Sequence, residues 1–214
     1  MRQKDVLRKK EDFPAGMRVF AGPDWQEEWF RALLPADMEF NAWTLQLRAA
    51  HEKAVSLYQS GNRDLPSYFT EDEVKFLASI GLRPITVYDY AEDLVKYGEP
   101  DWETFLLVAA ARRDYFLYEQ QGVTSTEEIS SAQLPPKTDS LEGIVWLPRI
   151  LRKATCFLNG GLCHDIMYGC GGDRRFFRDN GVHPADFLRA VWSSHGDDLK
   201  VVAFLQSLKS LPSR

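Results

Sequence analysis

Hydrophobic residues recur along most of this chain at intervals of three and four, which is the spacing of one face of an α-helix. The stripes and the residues that end them predict helices over residues 40–60, 102–121, 144–158, 173–180 and 184–193, and four more that begin near Asp24, Thr70, Pro84 and Asp197. Alternation with period two, the pattern of a half-buried strand, is absent. The pattern therefore predicts a mostly α, compact multi-helix bundle of about eight or nine helices with little or no sheet.

Local end signals support these boundaries. Thr70 and Glu73 have the Thr-x-x-Glu spacing of a capping box, and Asp197 is a favourable N-cap. Pro148 falls in the first turn of the helix over 144–158, where proline is tolerated. Gly181 ends the short helix that follows the glycine-rich stretch.

The order of these segments suggests one compact domain. Residues 1–23 look like a flexible N-terminal arm, residues 24–122 form an N-terminal helical part, and residues 144–214 form a C-terminal helical part that contains a glycine-rich turn. Residues 123–143 are polar and include two adjacent prolines. They are either a surface connection or the boundary between two subdomains.

Composition excludes several classes of protein. A formal net charge of −5 disfavours nucleic acid as a partner. No apolar run approaches the roughly 20 residues that span a bilayer, and the charged first residues do not resemble a secretory signal. Three cysteines, an odd number, suit a reducing cytosol better than a disulfide framework. We therefore expect a cytoplasmic protein that binds neither membrane nor nucleic acid.

Residues 169–178, Gly-Cys-Gly-Gly-Asp-Arg-Arg-Phe-Phe-Arg, carry the strongest signal for chemistry. A glycine-rich turn that enters a helix leaves backbone N–H groups unpaired, and the helix dipole favours an anion there. Gly171 and Gly172 would supply such groups, Asp173 would be the N-cap, and Arg174 can form forked bonds to a carboxylate or phosphate. The alternative is an ordinary loop and cap followed by a solvated arginine face.

Arg112 and Arg113 lie inside the apolar helix over 102–121. A buried guanidinium is costly unless it is paired. One interpretation is that one of these arginines lines a pocket. The other is an ion pair with Asp89, Glu92 or Asp93 of the preceding helix, which is the commoner use of a half-buried arginine.

Cys156, Cys163 and Cys170 occur at intervals of seven, and His164 follows the second of them. Zinc sites usually have closer paired cysteines, and two glycines at 160–161 interrupt any shared helix face, so no metal ligands are assigned. Cys170 stands beside backbone amides and Arg174, the surroundings in which reactive cysteines occur. Cys156 lies in a helix stripe and is expected to be buried and inert.

Three segments carry a family resemblance. They are Gly-Ile-Val-Trp-Leu-Pro-Arg-Ile-Leu-Arg-Lys-Ala at 143–154, Met-Tyr-Gly-Cys-Gly-Gly-Asp-Arg at 167–174, and His-Pro-Ala-Asp-Phe-Leu-Arg at 183–189. Together they resemble a family of uncharacterised bacterial proteins known as a domain of unknown function, over roughly the C-terminal third of the chain. The resemblance implies that the Leu-Pro-Arg segment and the Gly-Gly-Asp-Arg turn belong to one unit. It implies no activity, substrate or cofactor.

Three functional hypotheses follow. The first is a cytosolic enzyme or binding protein for a small anionic metabolite, a carboxylate or phosphate. Its ligand-binding residues would be Arg174, Arg149, Arg113, Arg112, Tyr115, Gly171 and Gly172, and its catalytic residues would be Cys170, Asp173, Asp114 and Tyr168. The second is a helical interaction module or homo-oligomer without catalysis, suggested by six tryptophans in a modest chain. The third is a metal-binding protein that uses cysteine and histidine.

Overall fold

A computed structural model describes residues 42–126, 129–161 and 165–210. The described residues contain eight α-helices and one two-stranded hairpin, which confirms the prediction of a mostly helical protein with little sheet. In chain order the elements are α1 (Ala42–Gln59), α2 (Glu71–Ser79), α3 (Pro84–Tyr97), α4 (Trp102–Tyr118), β1 (Ser140–Leu141), β2 (Ile144–Val145), α5 (Leu147–Asn159), α6 (Gly171–Asp179), α7 (Pro184–Ser194) and α8 (Asp198–Lys209). The predicted arm over 1–23 and the helix near Asp24 lie outside the described residues.

The predicted end signals work as expected at several helices. The Thr70 hydroxyl accepts from the Glu73 amide at 3.3 Å, and Glu73 Oε2 accepts from the Thr70 amide at 2.7 Å, so the capping box is complete. Asp197 caps α8 by accepting from the Leu199 amide at 3.1 Å. Gly98 ends α3 in the left-handed conformation, with φ 73°.

The hairpin β1–β2 was not predicted, and it delays the start of α5. Ser140 pairs with Val145 and Leu141 with Ile144, with Glu142 and Gly143 both at positive φ in the turn between them. The helix predicted over 144–158 therefore begins only at Leu147. Trp146, the residue between the hairpin and the helix, is also left-handed, with φ 74°.

Within the described residues, the N-terminal and C-terminal helical parts share one hydrophobic core. Buried residues from α1 to α4 and from α5 to α8 belong to a single cluster, in which α7 packs against α4, α5 and α8. The tryptophans of the described residues, at 43, 102, 146 and 192, all pack against this cluster. They therefore do not form a separate exposed aromatic face. Among the helices described, none has both the length and the apolar character that a membrane span requires.

Candidate functional site

A cleft of about 670 Å³ lies where α3, α5 and the start of α6 meet. Helix α3 contributes carboxylates to it, and α5 contributes basic side chains. The charged residues that line the cleft are Asp89, Glu92, Asp93, Glu99, Lys137, Arg149, Lys153, Asp165 and Arg174. Cys170, Gly171 and Gly172 line it as well, so the glycine-rich turn opens onto a strongly polar cleft.

A buried ion pair between Lys153 and Asp173 lies at the inner end of the turn. The two side chains are 4% and 0% exposed. Asp173 accepts hydrogen bonds from Lys153 Nζ, from Trp146 Nε1 at 3.1 Å and from the Gly169 amide at 3.0 Å. Both carboxylate oxygens are therefore occupied, and the pair fixes the turn against α5.

The sequence predicted Asp173 as the N-cap of this helix, and that prediction is wrong. Helix α6 begins two residues earlier than predicted, at Gly171, and Cys170 is its N-cap. Asp173 is the third helical residue, and its carboxylate reaches back to the Gly169 amide. Within the described residues, the amides of Gly171 and Gly172 have no hydrogen-bond acceptor. The start of α6 therefore presents two N–H groups beside the cleft.

Cys170 lies next to the amides of Gly171 and Gly172 and in contact with Lys153. Its Sγ accepts a hydrogen bond from Lys153 Nζ at 3.3 Å, and its side chain is half-buried on the wall of the cleft. A thiol at a helix N-terminus with a cation next to it has the surroundings of nucleophilic cysteines. The adjacent amides are placed to stabilise negative charge that develops near the sulfur.

The two arginines of the cleft differ in their partners. Arg174 donates from Nη1 to Asp93 Oδ2 at 2.5 Å and to the Gly169 carbonyl at 2.9 Å, and from Nε to Glu99 Oε1 at 3.1 Å. Arg149 is half-buried and donates from Nη1 to the Pro135 carbonyl at 2.8 Å, but it pairs with no carboxylate among the described residues. Arg174 thus has its charge neutralised within the protein, whereas Arg149 keeps a net charge to offer to a ligand.

Asp89 is a carboxyl group of the cleft whose pKa is far from its ordinary value. Burial, with the charges of Glu92 and Asp93, raises the pKa of Asp89 to about 8, although Lys153 opposes the shift. Asp89 is therefore mostly protonated at neutral pH and can donate a hydrogen bond. Nothing in the local sequence pattern indicated this role.

The predicted residues on α4 do not line the cleft. Arg113 lies over the Trp43 ring at 4.9 Å, and the Tyr115 hydroxyl donates to Asn159 Oδ1 at 3.1 Å. Asp114 is half-buried, and burial raises its pKa, but it lies on the same helix and does not line the cleft.

Tyr168, which was predicted as a catalytic residue, does not line the cleft either. It is fully buried and donates to the Pro184 carbonyl at 2.8 Å.

The ion-pair alternative for Arg112 and Arg113 is wrong, because neither arginine pairs with Asp89, Glu92 or Asp93. Two of these three carboxylates are engaged elsewhere: Asp93 binds Arg174, and Glu92 accepts from Tyr58 and Lys96. Lys153 was missed as a site residue. Its position, three residues after Ile150 and four before Phe157 in the apolar stripe of α5, was the available signal.

Over the described ranges, no group of three or more histidine, cysteine, aspartate or glutamate side chains is arranged to bind a metal ion. Cys163 and His164 lie outside those ranges, so the spacing of the three cysteines is not described structurally.

No family model, no curated protein and no solved structure matches this chain. The resemblance to a family of uncharacterised bacterial proteins therefore stays a prediction, and the function has to be argued from the site itself.

Proposed function

We propose that this protein is a cytoplasmic enzyme that binds a small acyl metabolite through a carboxylate or phosphate group and attacks it with the thiol of Cys170. The observation that carries the proposal is the pair of amides of Gly171 and Gly172, which have no acceptor among the described residues and lie next to this thiol in the lining of a charged cleft.

Arg149 is the anchor for the anionic group of the metabolite. It lines the cleft, it has no carboxylate partner among the described residues, and the Pro135 carbonyl and the Trp146 ring hold its guanidinium in place. Lys137 adds a second, exposed positive charge at the same cleft. A guanidinium held in this way can bind a carboxylate or phosphate with two parallel hydrogen bonds.

Cys170 is the nucleophile for the bound acyl group. Its sulfur forms a bond to the carbonyl carbon, the carbonyl oxygen becomes an oxyanion, and the amides of Gly171 and Gly172 stabilise that charge. When the oxyanion collapses, the bond to the leaving group breaks and the thiol proton departs with that group. Lys153 and Asp173 touch no substrate in this scheme, and they act as positioning residues for Cys170.

Binding is tested by a thermal-shift screen against carboxylated and phosphorylated metabolites, because a ligand of the folded state raises the melting temperature. We expect a hit for the wild type that is lost in Arg149→Gln. The matched control is Arg152→Gln, on the same helix and exposed away from the cleft, which should keep the shift. A rise in melting temperature that is unchanged in Arg149→Gln would contradict the proposed anion site. So would the absence of any rise with the wild type.

The covalent step is tested by intact mass spectrometry after incubation with an activated ester of any hit. We expect one acyl adduct, mapped to the peptide that contains Cys170, and no adduct in Cys170→Ser. Ligand binding that persists in Cys170→Ser without any adduct in the wild type would show a binding protein rather than an enzyme.

A further inference from the structure

Arg112 on α4 is the largest fully buried side chain of the described residues, at 1% exposed. Its guanidinium lies between the ends of α2 and α5. A Cβ atom at Gly160 would lie 2.8 Å from Arg112 Nη2, and one at Gly81 would lie 3.2 Å from Arg112 Cζ. Both glycines have positive φ, so the two helix ends leave the space that the guanidinium fills.

The charge of Arg112 has no partner of opposite sign among the described residues. Nη1 donates to Gln120 Oε1 at 2.7 Å, and the Phe116 ring lies 5.3 Å from Cζ. Nη2 is buried and has no hydrogen-bond acceptor in the described part of the chain. Burial lowers the pKa of Arg112 to about 10, so the group is still charged at neutral pH. A buried cation with an unused donor is costly unless something else completes it.

The adjacent helix ends supply part of the compensation. The C-termini of α2 and α5 carry partial negative charge, which favours a cation between them. One terminal carbonyl of each helix already accepts from a capping amide: Gly160 donates to Phe157 at 3.0 Å, and Gly81 donates to Ala78 at 3.0 Å. The helix ends therefore favour the charge but leave Nη2 without an acceptor.

A small cavity of about 20 Å³ adjoins this guanidinium. This volume is enough for one water molecule or one small ion, since a single water needs roughly 10–15 Å³. Its polar lining comes from Arg83, Thr86, Asp89, Tyr90 and Arg112. The Tyr90 hydroxyl donates to the Tyr168 carbonyl at 3.0 Å, and the Asp89 carboxyl is mostly protonated at neutral pH. The buried Arg112 guanidinium and a neutral acid thus line a space that fits one ion.

We infer that this cavity is a binding site for one monovalent inorganic anion of about the size of chloride, held by Arg112 Nη2 where α2, α4 and α5 meet. The anion supplies the missing acceptor and neutralises the buried guanidinium. This cavity shares the lining residue Asp89 with the cleft beside Cys170, but Arg112 does not line that cleft, and the inference does not depend on the ligand proposed there.

The inference is tested by thermal unfolding in sodium chloride or sodium bromide, with sodium gluconate keeping the ionic strength constant, because gluconate is too large for the cavity. We expect the melting temperature to rise with halide, by about 5–10 °C at a hundredfold excess over the dissociation constant. Arg112→Met should abolish the rise. Arg152→Met, which removes an exposed arginine from α5, should keep it.

A direct measurement on the wild type covers the case in which Arg112→Met does not fold. Crystals grown in sodium bromide should show an anomalous-scattering peak within hydrogen-bond distance of Nη2. A melting temperature that is the same in halide and gluconate, or density for water alone at this position, would overturn the inference.

Discussion

Replacing Asp173 with asparagine keeps the volume of the side chain and removes its charge. The change leaves Lys153 buried, at 4% side-chain exposure, without a counter-charge. Asparagine also offers only one acceptor oxygen, so it cannot accept from both Trp146 Nε1 and the Gly169 amide as the carboxylate does. The substitution therefore removes the ion pair with Lys153 and also weakens the hydrogen bonds that hold the start of α6.

The magnitude follows from the burial of this pair. Removal of one partner from a buried ion pair costs about 3–5 kcal/mol of unfolding free energy. A donor left without an acceptor costs about 1–3 kcal/mol, but this loss overlaps with the first and is not added to it. For a chain of this size, about 3–5 kcal/mol corresponds to a fall in melting temperature of roughly 6–20 °C.

Urea unfolding followed by circular dichroism measures the loss. Asp179→Asn is the matched control, because it removes a carboxylate from the same helix whose partner, Arg175, is exposed and 3.6 Å away. That change should cost less than about 0.5 kcal/mol. The variant Lys153→Met combined with Asp173→Asn should cost much less than the sum of the two single changes. A loss below about 1 kcal/mol for Asp173→Asn would refute the reasoning. So would a double variant whose loss of unfolding free energy equals the sum of the losses of the two single variants.

Three further predictions test other parts of the site. Gly172→Ala should lower the melting temperature, because a Cβ there would lie 2.6 Å from Trp146 Cζ2 and would displace the indole that binds Asp173. Asp89→Asn should gain stability relative to the wild type between pH 5 and pH 8 in urea unfolding. Burial and the charges of Glu92 and Asp93 raise the folded-state pKa of Asp89 to about 8, so the wild type loses stability over this range as the unfolded chain ionises; a pH-independent difference would contradict this. Iodoacetamide should modify Cys170 before Cys156, as read from peptide masses, because Cys156 is buried and burial raises the pKa of its thiol.

Local signals in the sequence sufficed for most of the helices. Capping residues such as Thr70 and Asp197 act within one turn of the chain, so their effect does not depend on the rest of the fold. The hairpin at 140–145 gave no such signal. Its strands are two residues long, too short for alternation to show, and its turn places the non-glycine residue Glu142 at positive φ.

The glycine-rich turn was a good predictor of where polar groups gather, and the fold explains why. Arg149, Cys170, Gly171, Gly172 and Arg174 line one cleft, but the sequence-based hypothesis also placed residues of α4 there. The residues on α4 do not line it, because α4 packs mainly against α7 and α5. Which helices become neighbours depends on tertiary packing, and that information is not contained in the spacing of residues along one helix.

The partners of the two cleft arginines separate a structural role from a binding role. Arg174 pairs with Asp93 of α3 and with Glu99, so it ties α6 to the end of α3 and has little charge left for a ligand. The sequence could not distinguish the role of Arg174 from that of Arg149, because both are arginines and the carboxylates that bind Arg174 come from a distant part of the chain. Removal of Arg174 would disturb the scaffold and any ligand site together, and a lost ligand response in that variant would have two explanations. Arg149 has no carboxylate partner among the described residues, so its removal leaves the ion pairs of α6 in place and isolates the contribution of anion binding.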